Sequence, residues 1–253
     1  FVEKPKDPGV LDSLKIPHTY YEELDIEGEY DFYLASMGIY VFNRATMVKL
    51  LENDFTDFGK HIIPGAISTH RVFSYVYQGY WEDIGTIKSF FEANLDGFEE
   101  LPKFNFFDMS SPIYSRPRFL PGSKINGAGI DHAIVSDGCI ISHANISHSV
   151  IGIRSFVGLG TNLHRVIMMG ADYYESQASM LENMNAGRPR MGIGQHCRIE
   201  NTILDKNVRI GDNCVISPAG KPENFDGPGG TYFIRDGIVI VPKGGIIPPG
   251  MVV

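Results

Sequence analysis

Tryptophan occurs once and cysteine three times in the 253 residues, and no stretch is enriched in lysine or arginine. The cysteines, Cys139, Cys197 and Cys214, are odd in number and share no CxxC spacing. That excludes a disulfide framework, offers no zinc site and suits free thiols in a reducing compartment. Acidic residues outnumber basic ones, 30 to 22, for a formal net charge of -8. Neither nucleic acid nor an anionic membrane is therefore expected as the main partner. No apolar run approaches the roughly 18 to 20 residues of a membrane helix, and no charged-then-apolar leader precedes the first apolar segment. Small-molecule chemistry and protein association remain.

Residues 1–100 mix the signals of strands and helices. YDFYLASMGIYVF (30–42) and FSYVYQGYWEDIGT (73–86) are aromatic and β-branched, which predicts strands. RATMVKLLEN (44–53) has helical spacing with Asn43 placed as its cap, and TIKSFFEANLDGF (86–98) predicts a helix capped by Thr86 and ended near Gly97. Alternating strands and helices imply an α/β sheet, but one too short to be a complete nucleotide-binding sheet. Residues 101–124 contain Pro102, Pro112, Pro117 and Pro121, which block helix formation and predict an extended connector.

From residue 125 to 253 the texture changes to small residues with a six-residue beat. Ile134, Ile140 and Ile146 form one series, and Ile151, Val157, Leu163 and Met169 a second. Ile193 and Ile199 follow, then Leu204, Ile210 and Ile216, and finally Ile240, Ile246 and Val252. A hexapeptide period predicts a parallel β-helix with three short strands per coil, one apolar residue of each repeat pointing inward. The competing β-sandwich needs sustained period-two alternation, which is absent. Residues 171–192 and 218–236 break the beat and are expected as insertions between coils.

Several residue types carry chemistry, each with a plainer alternative. Glu3 and Lys4, ahead of Pro5, stand at the end of an apolar run, where a lysine suits a phosphate and a glutamate suits sugar hydroxyls; on spacing alone a surface ion pair is the favoured reading. Asp83 precedes a glycine turn, where a carboxylate can hold a divalent metal or merely cap a turn. Ser36 lies beside Gly38, which permits close approach of a ligand to the backbone, or it fills space. Arg116, Arg118, Lys206, Arg209 and Lys243 come from distant segments and form an anion site only if the fold gathers them. His132, His143, His148 and His164 fall in the repeat region, where some hexapeptide-repeat acyltransferases keep a catalytic histidine between subunits; a surface or interface residue at a repeat corner is the plainer alternative.

FVEKP, LASMGIYVF, DFGKHIIP, GYWEDIGT, PIYSRPRFLPGSK, MGADYYES, LDKNVRIGDN and GIVIVPKGGIIPPGMVV, in that order, resemble the glucose-1-phosphate adenylyltransferase (ADP-glucose pyrophosphorylase) family across essentially the whole chain. The resemblance implies a partial Rossmann-like nucleotidyltransferase sheet followed by a left-handed parallel β-helix. It places FVEKP well inside the family's catalytic domain, so a fragment lacking the glycine-rich nucleotide loop, and doubtful in activity alone, is expected. By the resemblance, Glu3, Lys4 and Ser36 bind glucose 1-phosphate, Lys4 and Asp83 act in catalysis, and Asp83 helps hold Mg2+. ATP and glucose 1-phosphate would give ADP-glucose and pyrophosphate for glycogen or starch. Arg116, Arg118, Lys206 and Lys243 match positions linked to an anionic metabolite effector, Arg116 standing where plant-like and cyanobacterial members carry glutamine. The family implies a homo- or hetero-tetramer in bacterial cytoplasm, preferred here, or in a plastid. A non-catalytic regulatory or oligomerisation module is the alternative from a different class, and acyl transfer a further one.

Overall fold

The computed structural model describes every residue except Phe1, Glu3, Lys4, Glu23, Asp25, Ile26 and Glu29. The chain divides into two compact units, Phe1–Glu82 and Asp83–Val253.

In the first unit, α1 (Pro8–Ser13) starts at Asp7, whose side chain accepts a hydrogen bond from the Val10 amide. α2 (Arg44–Leu50) starts where its sequence predicts, Asn43 accepting from Ala45 N. A π-helical turn at Phe58–Ile62 leads into α3 (Ile63–Thr69), burying Ile62, Ile63 and Ala66. Among the described residues, 30–42 and 73–86 form no strand, apart from an isolated bridge between Lys15 and Tyr33. This corrects the strand expectation for those segments. A β-prone run becomes a strand only when its amides and carbonyls find a neighbour, and Val41, Phe73 and Tyr75 are instead almost wholly exposed.

The second unit begins with α4 (Ile87–Asp96), closed at its start by reciprocal bonds between Thr86 and Ser89 and ended at Gly97, as its sequence predicts. The coil strands follow. β1 (Lys124–Asn126), β3 (Ile140–Ser142), β5 (Phe156–Val157), β7 (Gly192–Ile193), β9 (Arg209–Ile210) and β14 (Ile246–Ile247) stack in that order, every neighbouring pair parallel. β2 (Gly129–Val135), β4 (Asn145–Ile151), β6 (Asn162–Met168), β8 (Arg198–Leu204) and β13 (Ile238–Val241) form a second parallel stack. β12 (Phe233–Arg235) and β11 (Phe225–Asp226) extend it antiparallel, and β10 (Val215–Ile216) pairs with β8. The long strands bend midway at His132, His148, Arg165 and Asn201, which have φ between 44 and 53°. Each thereby supplies two faces of a coil, and the short strands supply the third: a parallel β-helix. α5 (Gln177–Asn185), capped by Ser176, lies within the segment inserted between β6 and β7.

The core confirms the six-residue period and corrects its phase in places. Ile146, Ile151, Val157, Leu163, Ile193, Ile199, Leu204, Ile210 and Ile216 point inward and are buried. Ile141, Met168, Val241, Ile247 and Val253 are buried where the sequence reading favoured Ile140, Met169, Ile240, Ile246 and Val252. Val135, rather than Ile134, packs against the core. In an extended strand a one-residue shift turns every side chain to the opposite face, and these positions are adjacent apolar pairs. The outer member is apolar because part of the outer face is also covered: Phe91 and Leu95 of α4 form a second cluster with Ile167, Ile203 and Ile238, against which Met169 and Ile240 pack. Burying the Phe91 ring alone contributes about 2 to 3 kcal/mol.

Candidate functional site

Ser36 and Asp83 are exposed and both sit in tight local turns. Ser36 Oγ accepts from Gly38 N at 3.2 Å and lies 3.2 Å from the Tyr40 hydroxyl. Gly38 has φ 71° and no described atom within 4 Å of where a Cβ would stand, so the backbone at this turn is open to approach. Asp83 Oδ1 accepts from Gly85 N at 2.9 Å, and among the described residues Oδ2 has no hydrogen-bond partner. Glu3 and Lys4 lie outside the described residues.

For magnesium, the donor chemistry of Asp83 is suitable but partial. Mg2+ takes one or two protein carboxylates and completes its shell with water and substrate phosphates. Asp83 offers one such carboxylate, and among the described residues no group of three or more His, Cys, Asp or Glu side chains could enclose a metal.

The β-helix gathers two of the four expected effector residues. Lys206 follows β8 and Lys243 follows β13, and the pairing of Leu204 with Val241 puts them at matching corners of successive coils. Both ammonium groups reach Asp172 in the inserted segment: Lys206 Nζ to Oδ1 at 3.1 Å, Lys243 Nζ to Oδ2 at 2.8 Å. Asn207 Nδ2 donates to the same Oδ2 at 3.0 Å, and Asn207 Oδ1 accepts from Asp172 N at 2.8 Å. Lys243, then Lys206 and Asn207, hold the Asp172 carboxyl well below the usual carboxylate range, and Asp172 in turn raises Lys243. Arg118 donates to the carbonyl of Arg116 at 3.4 Å. Among the described residues the Arg116 side chain has no hydrogen-bond or ion-pair partner, and neither arginine joins the lysines.

Arg209 is not available to an anion. Its Nη2 donates to Glu175 Oε1 at 2.7 Å and its Nη1 to Pro189 O at 2.8 Å, with the two charged side chains 12% and 4% exposed. It anchors the inserted segment to the coil. A shallow cavity of about 170 Å³ beside this anchor is lined by Arg154, Phe156, Tyr173, Tyr174 and Arg190 among others, and contains none of the residues expected from sequence.

The histidines form a packed ladder on the bend of the long strands. His132 and His148 stack at 5.0 Å and 2° between planes, and Phe98 and His164 meet His148 edge-on. His132 Nδ1 is 2.9 Å from Asp131 Oδ1, a contact that raises its pKa, and His164 Nδ1 is 3.0 Å from the Ser147 hydroxyl. His143 stands apart at another corner, its backbone left-handed at φ 47°. Ring packing accounts for His132, His148 and His164 without catalysis.

Sequence comparison accords with this architecture. The model of the GLGC left-handed parallel beta-helix domain matches residues 118–252. The chain belongs to this family. Within the GLGC-type chain a nucleotidyl transferase model matches residues 1–100, so the fold joins nucleotidyltransferase sequence to a left-handed β-helix. Over its full length the chain is 41% identical to glucose-1-phosphate adenylyltransferase large subunit 1, chloroplastic/amyloplastic, of Zea mays, covering 49% of that protein. It is likewise 41% identical to the small subunit, chloroplastic/amyloplastic, of Triticum aestivum, covering 54%. The chain thus spans about half the length of the curated relatives it matches. No helix among the described residues is long and apolar enough to cross a membrane.

Reasoning from sequence missed Asp172. It lies 34 positions before Lys206, and no local spacing relates an aspartate in an insertion to lysines on later coils.

Proposed function

We propose that the chain is part of a glucose-1-phosphate adenylyltransferase. The observation that carries this is identity along the whole chain to both large and small subunits named for that activity. In the reaction, a phosphate oxygen of glucose 1-phosphate forms a bond to the α-phosphorus of ATP, and the bond from that phosphorus to the bridging oxygen breaks. ADP-glucose and pyrophosphate result, without a covalent enzyme intermediate. Catalysis of this kind rests on alignment and charge neutralisation rather than on a nucleophilic side chain.

In this reading residues 1–100 belong to the catalytic domain, 101–124 to the connector and 125–253 to the β-helix. Lys4 binds the phosphate and Glu3 the hydroxyls of glucose 1-phosphate. The exposed Ser36 contacts the sugar, a role supported by its exposure and by the open backbone at Gly38. Asp83 would offer its Oδ2 as one ligand for magnesium, which when bound would neutralise phosphate charge. Lys206 and Lys243 receive an anionic effector, and Arg116 and Arg118 are assigned to the same function. The complete assembly is a homo- or hetero-tetramer, acting in bacterial cytoplasm or a plastid.

Pyrophosphate release from ATP and glucose 1-phosphate tests the proposal. In the complete protein, Lys4→Ala should raise KM for glucose 1-phosphate far more than KM for ATP. Equal effects on both substrates would remove the assignment of Lys4.

One observation favours a regulatory role that does not depend on turnover. Lys206, Lys243 and their shared partner Asp172 all come from the second unit, so anion binding can be measured whether or not the chain catalyses.

A further inference from the structure

Lys206 and Lys243 stand on successive coils, the Lys206 carbonyl accepting from Gly244 N at 2.9 Å. Strands stacked in this way lie about 4.8 Å apart, so the fold brings the two lysines to neighbouring corners, where a shared anion lowers the repulsion between their ammonium groups. Here that anion is the protein's own. Asp172 gives one oxygen to each lysine and is steadied by both polar atoms of the Asn207 amide. Each lysine is thus already engaged by a carboxylate in the way it would engage a phosphate oxygen.

We propose that Asp172 is an internal competitor for the effector, occupying the lysine pair until a phosphate-bearing anion displaces it. The proposal rests on the reading of Lys206 and Lys243 as effector residues. Its physical basis is a difference in charge: a carboxylate brings one negative charge to two cations, whereas a phosphate monoester brings between about 1.5 and 2 near neutral pH. The displaced carboxylate returns readily to water, because the Asp172 side chain is already 37% exposed. Covalent attachment gives Asp172 a high effective concentration at the lysines, so weak monovalent anions are kept off. A ligand that binds only the open form loses apparent affinity in proportion to the occupied fraction. Asp172 therefore sets the threshold and charge selectivity of the site. Asn207 acts as a positioning residue, through its hold on the carboxylate. The depressed pKa of Asp172 keeps the competitor ionised throughout the neutral range.

The experiment is calorimetric titration of the 253-residue chain with inorganic phosphate at fixed low ionic strength. Asp172→Asn keeps the size of the side chain and removes its charge. It should tighten phosphate binding by about threefold to tenfold, the combined effect expected for two exposed ion pairs. Lys206→Gln and Lys243→Gln should each weaken binding. If D172N leaves phosphate affinity unchanged or lowers it while the lysine variants weaken binding, the competitor role is overturned and the effector assignment of the lysines survives. If neither lysine variant weakens binding, the effector assignment fails and the competitor role fails with it. Should D172N not fold by circular dichroism, Asp172→Ser carries the same expectation.

Discussion

Glu175 accepts three hydrogen bonds: from Arg209 Nη2 at 2.7 Å, Asn183 Nδ2 at 2.9 Å and Met191 N at 2.8 Å. Its partner Arg209 lies on coil strand β9, whereas Glu175, Asn183 and Met191 belong to the inserted segment. Burial pushes the Glu175 carboxyl up, but Arg209 and the Met191 amide outweigh it and hold the pKa below the ordinary glutamate value of 4.5.

Removing one member of this nearly buried pair leaves the other charge without compensation. Glu175→Ala should therefore cost about 3 to 5 kcal/mol of unfolding free energy in urea. Because the folded pKa is depressed, the contribution is present above the unfolded value of about 4.5 and is lost as pH falls through the folded value. Stability of the wild type should decline more steeply than that of Glu175→Gln below about pH 4.5. Parallel curves would show that another group controls the acid limb.

α4 is held on the coil by an aromatic ring with 1% exposure. Phe91→Ala should destabilise the second unit by about 3 to 5 kcal/mol, transfer and cavity contributions together. Hydrogen exchange should show faster opening in 87–96 than in β8. Unchanged protection of α4 would contradict this packing.

The three thiols are buried, with Cys197 pushed up to about 11 and Cys139 and Cys214 also raised by burial. A thiol reagent at pH 8 should label none of them in the native chain and all three in denaturant, since the thiolate is the reactive form. Rapid labelling of any one without denaturant would refute its burial.

Two glycines with similar backbone angles should respond differently to a methyl group. Gly170, at φ 85°, has the backbone of Ile153 and Gly152 against the position a Cβ would take, whereas Gly244, at φ 70°, has open space. Gly244→Ala should cost about 1 to 2 kcal/mol, the left-handed penalty alone. Gly170→Ala should cost distinctly more, because backbone of the preceding coil must move. Similar melting temperatures for the two variants would refute the close approach.

Much of the second unit was legible because its physics is local. A coil needs one inward apolar residue in each repeat, and Val157, Leu163, Ile193, Ile199 and Ile210 declare themselves at that interval. Phase failed at Ile140–Ile141 and Ile246–Ile247, where both neighbours are isoleucine and only cross-coil pairing decides which turns inward. Thr86 and Asn43 were readable as caps because their partners lie two or three residues away. Strands over 30–42 and 73–86 were not decidable from β propensity, since pairing requires a distant neighbour. The same limit hid the site: Lys206 and Lys243 were visible as charges, but their convergence on Asp172 is a property of stacked coils and an insertion.

The break between β6 and β7 bears on how the molecule assembles. Val157 pairs with Ile193 across the inserted segment, whereas most coil neighbours are separated by little more than one turn of chain. Loop closure costs grow only logarithmically with length, so the long excursion is thermodynamically tolerable, but it separates two tracts of short-range contacts. Stacks of this kind can nucleate in more than one place. The strands before the insertion and those after it form two candidate nuclei, and their joining is expected as the slow event. Refolding followed at Tyr174 and at Tyr232 should then show distinct early phases that share a common final one.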